Sequence, residues 1–202
     1  MFMEKFRKVK EIFAYAEVLE GKVESLLLEK FGRHHDLTWM QFTYPLSGYS
    51  WSLLDGSDFV AEIFLNTQKR ITEEVNFIIS SPIIGRLTLY RTPYPRCLNY
   101  DNLPIVLANH IFLRTLILPH VDPIVKQAGI IPHYSIDIFP DKTVHILWLY
   151  HNGLGVDYIF EITDSALIYR FPEVSDTVPF FQTDKLIFDF QKSLSPFRIV
   201  QI

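Results

Sequence analysis

Alternation of apolar and polar residues is strongest between Ile131 and Tyr169. Apolar side chains recur there at every second position, in four groups: Ile136 and Ile138; Val144, Ile146, Trp148 and Tyr150; Val156, Tyr158, Phe160 and Ile162; Leu167 and Tyr169. Turn-forming residues separate these groups, notably Pro140-Asp141-Lys142 and Asn152-Gly153-Leu154-Gly155. A period of two over consecutive segments predicts three or four antiparallel strands with one buried face.

The N-terminal segment instead repeats at helical spacing. Its apolar positions step by three and four residues: Phe2, Phe6, Val9, Phe13 and Ala16, continued by Val23, Leu26, Leu27 and Phe31. This spacing predicts an amphipathic helix, and Gly32 supplies a left-handed stop. The interleaved lysines, arginine and glutamates indicate a solvated face.

Strand patterns follow the helix. Four segments qualify: Thr38 to Thr43, Tyr49 to Leu54, Phe59 to Leu65, and Glu74 to Ile79. Turn residues separate the first three segments. Ser81 and Pro82 then begin either a short helix that extends through Leu87 or another strand, and the pattern is compatible with both.

The middle of the chain is rich in proline and mixes helix and strand signals. Asn102 and Pro104 favour a helix start, so we expect helix for Pro104 to His110. β-branched residues favour extended chain for Ile111 to Leu118. Asp122-Pro123 begins a second short helix. Together the patterns predict one α+β domain, residues 1–202, with a large antiparallel sheet flanked by helices and a helical excursion between about residues 101 and 129.

The hairpin around Gly153 predicts a register. If Trp148 and Phe160 belong to one buried face, their strands need an odd loop of three or five residues. The opposite face then carries His145, and a three-residue loop places it across from Glu161. That face is half apolar, so we expect helices, a ligand or a partner to cover it.

Composition and charge exclude several classes. The 202 residues are 49% apolar, 15% aromatic and 21% charged, with a net charge of −4, so neither disorder nor nucleic-acid binding is expected. Cys97 is the one cysteine, which favours a reducing cytoplasm. The apolar stretch Leu103 to Leu118 is interrupted by polar residues and is short for a membrane span. With no secretory signal in the N-terminal sequence, we predict a cytoplasmic protein without membrane contact.

The sequence contains few candidate catalytic or binding motifs. The chain has no Gly-rich phosphate loop, HExxH or GxSxG motif, and we predict neither a cofactor nor a metal. A carboxylate facing His145 forms either an acid–base pair or an ordinary cross-strand charge pair. Three arginines, Arg86, Arg91 and Arg96, flank Tyr90 and Tyr94. They either bind the carboxylates of an apolar ligand or form solvated strand ends. Cys97 has a neighbouring arginine but no identifiable histidine partner.

One segment resembles a known superfamily. It comprises Leu116-Ile117-Leu118-Pro119, the strand Ile131 to Phe139, and the apolar strand Asp141 to Asn152. These residues are similar to part of the ferredoxin-dependent bilin reductases and the related red chlorophyll catabolite reductases. The resemblance implies an antiparallel sheet between helices, with an open-chain tetrapyrrole between sheet and helices.

The resemblance also implies roles for particular residues. Asp137 falls where bilin reductases carry a proton-donating aspartate, and His133, His145 or Arg114 would assist it. Arg114 itself falls where some members have His or Asn. Ferredoxin would supply the electrons. The residues expected to contact such a ligand are Arg86, Arg91, Arg114, Tyr134 and Glu161.

Two functions are therefore expected from different classes. The first is binding of a bulky apolar ligand with carboxylates, a linear tetrapyrrole, with reduction as its chemistry. The second is a non-catalytic interaction factor, such as an immunity, inhibitor or assembly protein. A ligand binder would have a deep pocket lined by Asp137, His145 and Arg114, whereas an interaction factor would have a closed core and an exposed aromatic patch.

Overall fold

The computed structural model describes residues 2–44, 48–67, 74–81, 85–94, 101–128 and 130–197. It confirms the predicted α+β class, with the strands in two antiparallel sheets of five. The elements in chain order are α1 Phe2–Phe31, β1 Leu37–Tyr44, β2 Gly48–Asp55, β3 Asp58–Asn66, β4 Glu74–Ser81, β5 Gly85–Pro93, α2 Leu103–Ala128, β6 Ile131–Ile138, β7 Thr143–His151, β8 Leu154–Ile162, β9 Leu167–Phe171, β10 Val174–Val178 and α3 Asp184–Ser193, followed by a 3-10 turn at Ser195–Phe197.

The chain divides into two compact units, Met1–Ala108 and Asn109–Ile202. The first sheet has the order β1-β2-β3-β4-β5, and the second has the order β10-β9-β8-β7-β6. Every strand therefore pairs with its neighbours in sequence, and each sheet is a meander. Each meander follows one long helix in the chain, α1 before the first and α2 before the second.

Helix α1 confirms the N-terminal prediction. One face is buried at helical spacing: Ile12, Ala16, Leu19, Val23, Leu27 and Phe31. Phe13, which the pattern placed on this face, is 37% exposed and Ile12 is buried instead. Gly32 has φ 62° and donates its N–H to the Leu28 carbonyl, while Arg33 donates to the Leu27 carbonyl. This left-handed end satisfies carbonyls of the last turn.

The strands of the first sheet also agree with their predicted segments. Alternate residues of β2, β3 and β4 form an apolar buried face: Trp51, Leu53, Ala61, Ile63, Leu65, Val75, Phe77 and Ile79. The structure resolves the open choice after Pro82, because β5 begins at Gly85. Residues 45–47, at the predicted first turn, lie outside the described part of the chain.

Helix α2 corrects the prediction of extended chain for Ile111 to Leu118. The helix is continuous and contains both Pro119 and Pro123, so Asp122-Pro123 begins no separate helix. Nearly every residue from Leu103 to Leu118 is buried, and burial on all sides outweighs the weak strand propensity of β-branched residues. By length and composition Leu103–Lys126 would also suffice to cross a membrane, but 78% of its most apolar stretch is buried within the protein.

The β7–β8 hairpin corrects the predicted register. His151 pairs with Leu154, which leaves a two-residue loop rather than an odd one. Asn152 has φ 49° and Gly153 has φ 85°, the positive values that an Asn-Gly type I′ turn requires. The even loop places Phe160 opposite His145. Phe160 is fully buried as predicted, but Trp148 lies on the other face.

Aromatic side chains pack α3 against the second sheet. Phe190 of α3 contacts the rings of Tyr158, Phe160 and Phe171, with centroid distances of 5.1, 5.9 and 5.3 Å. The Tyr158 hydroxyl donates to the Ser193 carbonyl at 3.0 Å. One face of the second sheet is thereby the core of its unit.

Candidate functional site

The two faces of the second sheet differ in chemistry. The inner face, which contacts α3, carries Thr143, His145, Leu147 and Leu149 of β7 with Tyr158, Phe160 and Ile162 of β8, all at most 2% exposed. The outer face carries the alternate residues of the same strands. Because both sets in β7 are largely apolar, the period-two pattern alone did not identify the buried one.

A chain of hydrogen bonds runs through polar residues on the inner face. Asn109 Nδ2 of α2 donates to Thr143 Oγ1 at 2.9 Å, and Thr143 Oγ1 lies 2.9 Å from His145 Nε2. His145 Nδ1 is 2.5 Å from the Tyr134 hydroxyl, which lies 3.3 Å from His110 Nδ1. Five side chains from one helix and two strands thus form one connected network.

Two proton arrangements fit this network. If Thr143 donates to His145 Nε2, then His145 Nδ1 donates to Tyr134 and Tyr134 donates to His110. If His145 Nε2 donates to Thr143, every bond from His145 to His110 reverses, because a neutral imidazole has one donor and one acceptor nitrogen. The two arrangements have the same heavy-atom positions and differ in the tautomers of His145 and His110.

Burial keeps His145 and Tyr134 neutral. It lowers the pKa of the His145 imidazole well below the ordinary value, with a smaller contribution from His110. It also raises the pKa of the Tyr134 hydroxyl far above its usual range, because a charged form would lose its hydration. His145 is 0% exposed. The arrangement is that of a hydrogen-bonded polar cluster in a closed core.

Sequence reasoning found two members of this network, Tyr134 and His145, and missed Asn109, His110 and Thr143. A signal for two of the missed residues was present. Asn109 and His110 interrupt a run of apolar residues, and polar side chains in a helix buried on all sides need hydrogen-bond partners. Arg114, one helical turn after His110, is also buried, at 7% exposed.

Asp137 and His133 lie elsewhere. Both are exposed and occupy the outer face of β6. Asp137 pairs with Val144, whereas the neighbouring Ile136 pairs with His145. Asp137 and His145 are therefore on opposite faces of the sheet, and no pocket lined by both is formed. The described residues therefore do not form the pocket lined by Asp137, His145 and Arg114 that is expected of a ligand binder.

Glu161 does not face His145 as expected from a three-residue loop. It pairs with Val144 on the outer face, because the actual loop has two residues. Its carboxylate contacts Lys142 Nζ at 2.7 Å and Arg170 Nη2 at 3.0 Å. Glu161 is thus the centre of an ion triplet, which explains how it is 8% exposed without an imidazole partner.

Arg91 contacts residues of its own sheet. Arg91 is in the first unit, where its Nε donates to Asn76 Oδ1 at 3.2 Å and lies 3.8 Å from Glu74. This matches a solvated strand end, since Arg91 is exposed. The side chain of Arg86 and the whole of Cys97 lie outside the described residues.

Aromatic and aliphatic side chains form a patch on the outer face. The Trp148 and Tyr150 rings stack with centroids 5.3 Å apart and planes 16° apart, and His133 lies 5.2 Å from Trp148. Ile146 pairs directly with Ile159 on the next strand. We call Ile146, Trp148, Tyr150, Ile159 and Ile168 the outer patch; Tyr150 is 37% exposed and the others are half-buried.

Comparison with known proteins identifies no relative of this chain. No protein-family model, curated protein or solved structure matches the chain. Within the described ranges, no group of three or more His, Cys, Asp or Glu side chains is placed to hold a metal ion.

Proposed function

We propose that this chain is a non-catalytic interaction factor that binds a protein partner through the outer patch. The observation that carries this proposal is the stacked Trp148–Tyr150 pair on the outward side of a sheet whose other side is a closed core. Contiguous apolar surface of this kind marks interaction sites, and tryptophan and tyrosine supply much of the binding energy at protein interfaces.

Charged groups surround the patch. Lys142, Glu161 and Arg170 lie on one side, and Asp157 pairs with Trp148 across the strands. An apolar centre with a polar rim is the usual anatomy of a protein–protein interface, because the rim limits water access to the centre.

Gly155 contributes to the position of Trp148. A Cβ at Gly155 would lie 3.0 Å from the Trp148 indole, so the glycine leaves room for the ring beside the backbone of β8. The ring is held between this backbone and Tyr150 before any partner arrives. A preorganised side chain loses less conformational entropy on binding.

Replacement of Trp148 tests the proposal. The purified chain, immobilised, is exposed to an extract of its source cells; a captured protein is then purified and titrated by calorimetry. Trp148→Ala should weaken its binding by about 30-fold, as for a central interface tryptophan. The matched control is Phe188→Ala, which removes a 65%-exposed aromatic ring on α3 and should leave affinity unchanged. Equal affinity of the Trp148 variant and the natural chain would refute the proposal.

A linear tetrapyrrole is the second candidate occupant of this face. Asp137 and His133 lie on the same face as Trp148, so a planar apolar ligand could stack on the indole near a carboxylate and an imidazole. In this reading Asp137 is the proton donor and ferredoxin supplies electrons.

Biliverdin distinguishes the two candidates. A ligand binder should give a saturable shift of its visible absorbance that Trp148→Ala abolishes. With reduced ferredoxin, Asp137→Asn should stop any reduction and spare binding. An absorbance spectrum equal to that of biliverdin in buffer would exclude this candidate and leave the protein partner.

A further inference from the structure

The four edge strands of the two described sheets differ in their protection against pairing with another chain. Natural edges are usually blocked by charge, proline, a bulge or short length. Strand β5 contains Arg86, Arg91 and Pro93 and has a register shift against β4. Strand β6 contains Pro132 and an exposed Asp137. Strand β10 has only five residues, including Asp176.

None of these devices comes from the residues of strand β1 itself. Its sequence, Leu37-Thr38-Trp39-Met40-Gln41-Phe42-Thr43-Tyr44, contains no charged residue, proline or glycine. All eight residues pair with β2 without a register shift. The result is a straight edge with no charged residue of its own, on which the Trp39 backbone hydrogen-bonds to the Glu20 carboxylate of α1.

The same strand is exposed on both faces of the sheet. From Met40 to Tyr44 every residue is exposed, including three large apolar side chains: Met40 at 46%, Phe42 at 42% and Tyr44 at 44%. These three share one face, and Tyr44 contacts Phe64 of β3 edge-to-face at 6.1 Å. An apolar strip thus continues from the edge into the sheet.

We infer that β1 pairs antiparallel with β1 of a second copy of this chain, which joins the first sheets of the two copies into one. The absence of charged residues from β1 favours a second copy of the same strand as its partner. Self-pairing places a strand opposite its own sequence, so any charged residue near the dyad would meet its like. This strand brings no like charges together over its whole length.

Symmetry also places the apolar side chains together. If Gln41 of one copy lies opposite Gln41 of the other, Met40 lies opposite Phe42 on one face. A dyad at Phe42 places Met40 opposite Tyr44 on that face. Both registers extend the apolar strip across the dyad, because antiparallel partners share a face.

The dimer should be weak and closed. A single strand pair buries less area than the roughly 1,200–2,000 Å² of a stable interface, so association depends on concentration. Each copy contributes the same strand to a two-fold contact, which closes on itself, so no open fibre results.

Sedimentation velocity of the full chain from about 1 µM to about 1 mM, the range of weak association, tests the pairing. The natural chain should shift from monomer to dimer. Phe42→Lys should weaken the dimer by at least about tenfold, since it removes apolar contact and introduces like charges across the dyad. The matched control, Phe181→Lys, changes a 70%-exposed phenylalanine of the second unit and should leave the dimer unchanged.

Cysteine cross-linking tests the same surface without introducing a charge. In a Cys97→Ser chain, Met40, Gln41, Phe42 and Thr43 are replaced by Cys one at a time and oxidised. One position should form a disulfide dimer far faster than the others, since only residues near the dyad meet their own copies at disulfide distance. Thr177→Cys, exposed on β10, should not cross-link.

Two results would overturn the inference. One is a chain that stays monomeric throughout the concentration range. The other is a dimer in which no β1 position cross-links faster than Thr177→Cys, whatever the behaviour of Phe42→Lys.

Discussion

The buried His145 should make the stability of this chain depend on pH. Burial, with a contribution from His110, holds the pKa of His145 well below its ordinary value of about 6.5. The unfolded chain therefore takes up a proton near pH 6.5 that the folded chain does not. Stability should fall as pH drops below about 6.5, by up to about 1.4 kcal/mol per pH unit from this group, until the folded imidazole titrates.

Urea unfolding at pH 7.5, 6.5 and 5.5 measures this effect. His145→Gln removes the buried titrating group, so its stability should depend less on pH in this range than that of the natural chain, although its absolute stability is lower. His133→Gln, at an exposed position of the same sheet, should keep the natural dependence. Equal pH dependence in the His145 variant and the natural chain would contradict the assignment of this dependence to His145.

At the scale of elements, two glycines with equal space around them should respond oppositely to alanine. A Cβ at Gly21 or at Gly153 would meet nothing within 4 Å. Gly21 lies within α1, where alanine is the better helix former by about 1 kcal/mol. Gly153 has φ 85° in the β7–β8 turn, a conformation that costs alanine about 1 kcal/mol or more.

Chemical denaturation of the two variants tests this contrast. Gly21→Ala should raise the free energy of unfolding, and Gly153→Ala should lower it. Since neither substitution changes a contact, the difference in sign would come from backbone conformation alone. A loss of stability in both variants would show that packing, rather than backbone conformation, determines the effect of alanine at these positions.

Elements with an unambiguous period were predictable from sequence. Helix α1 and the first four strands each combine one hydrophobic period with a turn or stop residue, such as Gly32. Helix α2 was mispredicted beyond His110 because a helix buried on all sides has no amphipathic period. Its β-branched residues then carried the only local signal, and that signal pointed to a strand.

At the scale of the whole molecule, the α+β class followed from the elements but the candidate site did not. Membership of the inner network depends on which face of β7 is buried, and one residue of loop length decides that face. The Asn152-Gly153 pair was the sequence signal for the correct loop length, because it favours a two-residue turn. The position of Asp137 on the outer face follows from the same register.

The meander order of the sheets has a consequence for synthesis on the ribosome. Every strand of the first sheet pairs with a strand adjacent in sequence, and the last of them ends at Pro93. All partners in this sheet are therefore translated before α2 is complete. The nascent chain can close each hairpin as it emerges, since local pairings need little loop closure and domains generally form as units in N-to-C order. Its exposed edge at β1 is then available while the second unit is still being made.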